Sequence, residues 1–172
     1  MKSTPSNIPV RVLKAKIMLA LQELYHKDKY LLNEDVNERS VSYRLAMYLQ
    51  NEFKDWAVDC EYNRNVLETD LIKRLSSPHL IGETATTTDL RATTVYPDII
   101  IHHRGTDNNL IVIEIKKHPS STYLDNKDRV KLKGYRDELH YKYGLFLKLY
   151  RDYRTTLKYL QTNLVINNDK HL

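Results

Sequence analysis

The sequence predicts an α/β fold, a mixed central sheet flanked by helices on both faces. Three observations carry that expectation. Two β-branched runs, Asp98-Ile99-Ile100-Ile101 and Ile111-Val112-Ile113-Glu114-Ile115, are separated by a short polar segment. A helical stripe at Asp128, Leu132, Tyr135 and Leu139 follows them. A third apolar run, Gly144-Leu145-Phe146-Leu147, follows that helix. Nearly continuous apolar strands are covered on both faces, and a strand, a helix and a second apolar strand make a parallel crossover.

The elements can be read in order. Val10, Leu13, Ile17, Leu21 and Leu24 recur at helical spacing, which predicts a first helix over about 9–30, with Pro9 suited to its first position. Asn37 is a natural N-cap for a second helix whose stripe is Val41, Leu45, Tyr48 and Leu49, ending near Lys54. Ala57 to Tyr62 alternates and reads as a half-buried strand. Residues 63–96 are polar and Thr-rich, which predicts a long excursion with at most a short hairpin. Pro97–Arg104 and Leu110–Lys117 then form an antiparallel hairpin around Gly105–Asn109, whose composition is that of a turn. The third helix is expected over about 125–141 and the next strand over 143–150. A short helix near 153–160 and a strand at 164–166 close the chain.

Composition limits the function classes. A chain of 172 residues, 41% hydrophobic and 28% charged, can bury one substantial core. Residues 1–8, polar and Pro/Ser-rich, read as a flexible tail, and 9–172 as a single domain. Lone Cys60 allows no internal disulfide. No apolar run is long enough for a membrane span, and the start lacks a signal peptide's apolar stretch, so a cytoplasmic protein without a membrane partner is expected. The net charge of +5 tilts the expected partner toward a polyanion. Glycine-rich phosphate loops, zinc-type cysteine spacing and nucleophile elbows are all missing.

The candidate chemistry lies on the hairpin. Side chains alternate along a strand, so Glu114 and Lys116 share a face, as do Asp98, Ile100 and His102. A five-residue turn sets Ile100 opposite Glu114 and Asp98 opposite Lys116; a shift of two residues would put Asp98 directly across from Glu114. Two carboxylates held close under a covered sheet repel and lose hydration. A divalent cation relieves both costs, and Mg²⁺, for which Mn²⁺ can substitute, takes carboxylate oxygens, waters and phosphate oxygens. A neighbouring lysine can orient water or stabilise developing charge, which suits metal-assisted phosphodiester hydrolysis. Singly, Asp98 is an ordinary strand-start acid and Glu114 an ordinary partner for Lys116; their convergence is what favours a site. His102, His103 and His118 read more plainly as surface residues than as a metal site, since adjacent strand residues face opposite ways.

Pro97-Asp98 followed, after fifteen residues, by Glu114-Ile115-Lys116 resembles the signature of the PD-(D/E)XK nuclease superfamily. The resemblance implies a restriction-endonuclease-like core: a helix, a three-stranded antiparallel meander, a crossover helix and a fourth strand, here spanning about 37–150. It implies Asp98, Glu114, Lys116 and Glu38 as catalytic residues, with Asp98, Glu114, Glu38 and the Ile115 carbonyl as ligands of Mg²⁺. Glu38 takes the place of the acid that members often supply from the preceding helix; a glutamate in a first helical turn is also favoured by the helix dipole alone. Some members carry a glutamine and a tyrosine four residues apart in the crossover helix. Lys131 and Tyr135 have that spacing without the glutamine, and with Lys127 they are the expected nucleic-acid contacts. The implied activity is Mg²⁺-dependent nuclease action, on DNA rather than RNA. The alternative is a catalytically inactive nuclease-fold module that binds nucleic acid or a protein partner. Homodimers are common among such enzymes, although no surface stripe here argues for one.

Overall fold

The computed structural model describes residues 8–33, 36–62, 74–75, 93–94 and 96–166. The expected tail, residues 1–8, falls outside them except for Ile8.

Helix α1 (Val10–Lys27) buries Leu13, Ile17, Leu21 and Leu24, the stripe its sequence announces. Pro9 is its N-cap rather than its first helical residue. It stops before Tyr30 because Asp28 leaves helical backbone geometry, and a separate turn, α2 (Tyr30–Asn33), follows. Helix α3 (Glu38–Glu52) starts where Asn37 accepts a hydrogen bond from the Arg39 N–H, satisfying a donor that the first turn leaves unpaired.

Strand β1 (Ala57–Cys60) comes next. Of the excursion over 63–96, the described residues include a two-stranded antiparallel pair, β2 (Arg74–Leu75) with β3 (Thr93–Thr94), and Tyr96. Strand β4 (Ile99–His102) and strand β5 (Asn109–Lys117) then form the hairpin. Its turn lies earlier than expected: the His103 N–H bonds to the Asn108 carbonyl, and Gly105 supplies the left-handed residue, φ 73°. The register therefore differs from the five-residue-turn reading. Ile99 pairs with Ile113 and Ile100 with Val112, with an irregularity between Ile101 and His102.

Helix α4 (Thr122–Leu139) begins three residues before the expected start because the Ser121 hydroxyl caps the Leu124 N–H. It ends at His140 in the left-handed conformation. Strand β6 (Tyr143–Leu149) runs parallel to β5, so the crossover is as expected. Helix α5 (Tyr153–Asn163) leads into β7 (Leu164–Ile166), which is antiparallel to β6.

The fold is thus α/β, a mixed sheet in the order β1-β4-β5-β6-β7. On one face, Ile99, Ile101, Ile111, Ile113 and Ile115 pack in a cluster that takes in the stripes of α1 and α3 and Leu160 of α5. On the other, Ile100, Val112 and Phe146 meet Leu132, Tyr135 and Leu139 of α4. Each such buried aliphatic side chain contributes about 1.5–3 kcal/mol of transfer free energy. Gly144 lets α4 come close, since a Cβ there would stand 2.9 Å from Cδ of Arg136. No described helix is long and apolar enough to cross a membrane.

Candidate active site

Beside the first turns of α4 the sheet face is polar, with Lys116 meeting Asp128 and Lys148 meeting Asp125. Asp98 lies just outside β4; continuing the pairing Ile99–Ile113 by one residue sets it across from Glu114, and the two carboxyls act on each other's titration. In an antiparallel pair that separation is about 4.5–5.5 Å at Cβ. Of the two registers weighed from the sequence, this is the closer one.

Asp98 is anchored by the Ile115 N–H, 2.7 Å from Oδ2. Burial raises the proton affinity of its carboxyl above the ordinary carboxylate value; the Ile115 N–H and Lys116 oppose this without cancelling it. Glu114 is only 2% exposed, and its Oε1 is buried with no hydrogen-bond partner. Burial, then the charge of Asp98, hold its carboxyl well above the ordinary range. The Tyr135 hydroxyl beside it is also buried, and burial, followed by the charge of Glu114 and a hydrogen bond to it, pushes that phenol strongly upward. An acid buried beside a second acid and a phenol is costly to ionise.

Lys116 follows two residues along the same face. Its Nζ lies 3.1 Å from Glu38 Oε2, 3.1 Å from Asp128 Oδ2 and 3.2 Å from the Ile115 carbonyl. Burial works against its charge, but Asp128 and Glu38 outweigh it, and the ammonium is held more firmly than in water. Glu38 sits in the first turn of α3 and reaches the end of β5, where its Oε1 also accepts the Lys117 N–H at 3.0 Å. Glu38 is therefore tied to Lys116 rather than to the two facing carboxyls. It shares with Asp98 an open depression of about 410 Å³, lined also by Asn37, Arg39, Glu61 and Tyr96. Glu61, at φ 49°, turns out of the β1 line and pairs with Arg39 at 2.8 Å.

The residues expected to meet nucleic acid divide. Lys127 is exposed. Lys131 is partly buried, its Nζ 2.7 Å from Asp128 Oδ1. Tyr135 corrects the expectation: it is fully buried in the α4 core, so its ring presents no face to an outside base. Of the histidines, His118 is exposed as the surface reading expects and His103 is half-buried, but His102 departs from that reading. His102 is 3% exposed and bonds Asp59 at 2.9 Å, while His103 stacks on Trp56 with ring centres 4.1 Å apart.

Asp128 is the residue that the sequence reading did not assign to the site. It is 4% exposed and offers one oxygen to Lys116 and the other to Lys131. The signal was present, an acid inside an apolar helical stripe, since a buried carboxylate almost always serves a partner.

Among the described residues, no three His, Cys, Asp or Glu side chains gather into a ready metal cage. Mg²⁺ does not require one, because it usually takes one or two carboxylates and keeps several waters. Asp98 and Glu114, with the unpaired Oε1, fit that donor set. Compared with models of known protein families, with curated proteins and with solved structures, the chain matches none.

Proposed function

We propose that this chain is a Mg²⁺-dependent phosphodiesterase of the restriction-endonuclease-like type, acting on nucleic acid, with DNA the preferred substrate. One observation carries the reading: the buried carboxyls of Asp98 and Glu114 lie close enough to act on each other, with the ammonium of Lys116 beside them. The order of elements from α3 to β6 supports it: apart from the inserted β2 and β3, it follows the core that the sequence resemblance implies.

Asp98, Glu114 and the Ile115 carbonyl would hold the cation, which supplies Lewis acidity toward a phosphate oxygen and a bound water. The Ile115 N–H keeps the Asp98 carboxyl turned toward β5. Lys116, with its ammonium held charged, acts as an electrostatic group beside the phosphate rather than as a base. Glu38 lines the approach next to Asp98 and steadies Lys116 until substrate arrives.

The test is cleavage of labelled single- and double-stranded oligonucleotides in Mg²⁺, Mn²⁺ or chelator. Lys116→Ala is expected to lower the rate by about 10²–10³ with the fold retained, as loss of one such electrostatic group commonly does. Full activity in that variant removes the mechanism.

A second reading, a module that binds nucleic acid or a protein without turnover, draws on a different observation. All three hydrogens of the Lys116 ammonium already have protein acceptors. Substrate binding without hydrolysis across the same oligonucleotides would favour it.

A further inference from the structure

An ammonium has three hydrogens and no acceptor. Those of Lys116 meet Glu38, Asp128 and the carbonyl of its own neighbour Ile115, at 3.1, 3.1 and 3.2 Å. For the amine to meet a phosphate oxygen or a water, one of these partners must give way. The carbonyl belongs to the central strand and cannot move independently of it. The two acids are unequal. The Glu38 side chain is 39% exposed and borders the open depression; the Asp128 side chain is 6% exposed, on a helix packed against the sheet. Glu38 is therefore the exchangeable partner and Asp128 the fixed one.

Asp128 has a second distinguishing feature. Its other oxygen, Oδ1, holds Lys131 at 2.7 Å, so both oxygens carry an ammonium. One carboxylate thus spaces two ammonium groups along the edge of the facing carboxyls. From this geometry we propose that Asp128 is a positioning residue of the hydrolytic centre. It anchors Lys116 from beneath and keeps the Glu38 side of that amine as the place where a substrate phosphate oxygen docks. The proposal rests on the nuclease reading above. It assigns the anchor to the crossover helix, an element that the Asp98, Glu114 and Lys116 signature does not include.

The experiment measures Mg²⁺-dependent cleavage of a labelled oligonucleotide by the full chain, as separate kcat and KM values. The variants are Asp128→Asn, Asp128→Glu, Lys131→Met and the double variant Asp128→Asn/Lys131→Met, with Lys116→Ala as reference. Asp128→Asn is expected to lower kcat about 10–100-fold with KM within about twofold, the range typical of lost supporting partners. Asp128→Glu, which restores the charge, is expected to recover most of that loss. A residue needed only for folding would lower the amount of active protein and the thermal midpoint, and would show no recovery that tracks charge. Should Asp128→Asn fail to fold because two lysines lose their counter-ion, the double variant, with one buried cation fewer, carries the test. Its kcat is expected about 10–100-fold below that of Lys131→Met. If the wild type cleaves in a Lys116-dependent way while kcat is unchanged in Asp128→Asn, or in the double variant relative to Lys131→Met, the anchoring role is overturned and the nuclease reading stands. If the wild type does not cleave, or Lys116→Ala cleaves equally well, both fail together.

Discussion

Asp59 shows how a single carboxylate reports on the fold. It stands on β1, accepts from buried His102 at 2.9 Å, and is bridged by Arg104 through both of its oxygens. Burial raises its proton affinity, but the Arg104 and His102 bonds outweigh it, and its carboxyl titrates below the ordinary value. A group with a lowered folded-state pKa stabilises above its unfolded pKa, and that stability is lost as pH falls through the folded value. The loss should therefore begin near pH 4, about the ordinary aspartate value, and continue below it. Asp59→Asn is expected to cost about 1–3 kcal/mol at pH 7, the scale of hydrogen bonds to charged groups. The gap to wild type should narrow below about pH 4. Urea unfolding at a series of pH values checks this; a gap that stays constant with pH would contradict it. Asp59 and His102 pair across strands, so the alternation in 57–62 located the aspartate without revealing its partner.

At the scale of elements, the cap of α3 joins stability to the site. Asn37 fixes the helix start one residue before Glu38, and Glu38 in turn bonds both Lys116 and the Lys117 N–H. Asn37→Ala is expected to cost about 0.5–2 kcal/mol, as lost N-caps do. It should also lower cleavage activity, because the first turn that aims Glu38 frays. Unfolding midpoints together with cleavage rates check this, and a stability loss with no change in rate would uncouple the cap from the site. Helical periodicity made α1, α3 and α4 legible, β-branched runs made β4 and β5 legible, and a short apolar run made β6 legible, because those signals are local. The hairpin register was not. It depends on where a polar stretch turns, and the choice made by His103, Gly105 and Asn108 is invisible in composition. Asp128 escaped for a related reason: its lysines lie partly on another element, so only packing α4 against β5 reveals what the acid is for.

At the scale of the whole molecule, the candidate site is a source of latent stability. Burial disfavours ionised Asp98 and Glu114 by more than Lys116 and Lys131 favour them, so ionising both weighs against folding until a further positive charge enters. A ligand that binds only the folded state stabilises it by about 2.7 kcal/mol at a concentration of 100 Kd. For a chain of this size, that raises the thermal midpoint by about 5–10 °C. Mg²⁺ or Mn²⁺ is expected to produce such a rise in the wild type and little in Asp98→Asn or Glu114→Gln. Both carboxyls hold protons above the ordinary range and must release them to bind a cation. The rise should therefore grow with pH above that range. Differential scanning calorimetry with and without the cation measures it; equal shifts in all three proteins would place the cation elsewhere. The layered architecture was legible because each apolar strand needs cover on both faces. The polar interior between β5 and α4 was legible only in its β5 half.

Strand β5 is shared by the antiparallel and parallel halves of the sheet, and its odd and even positions have opposite duties. Ile111, Ile113 and Ile115 face the α1 and α3 layer, while Val112, Glu114 and Lys116 face α4. A frame slip of one position along this strand would exchange the two sets, pressing a carboxylate and an amine into oil and turning isoleucines toward α4. Folding and chemistry would be lost in the same event. Within the hairpin, a change of length is therefore absorbed by the exposed loop over 104–107, whereas one added or lost residue between Leu110 and Lys117 turns every position beyond it to the wrong side.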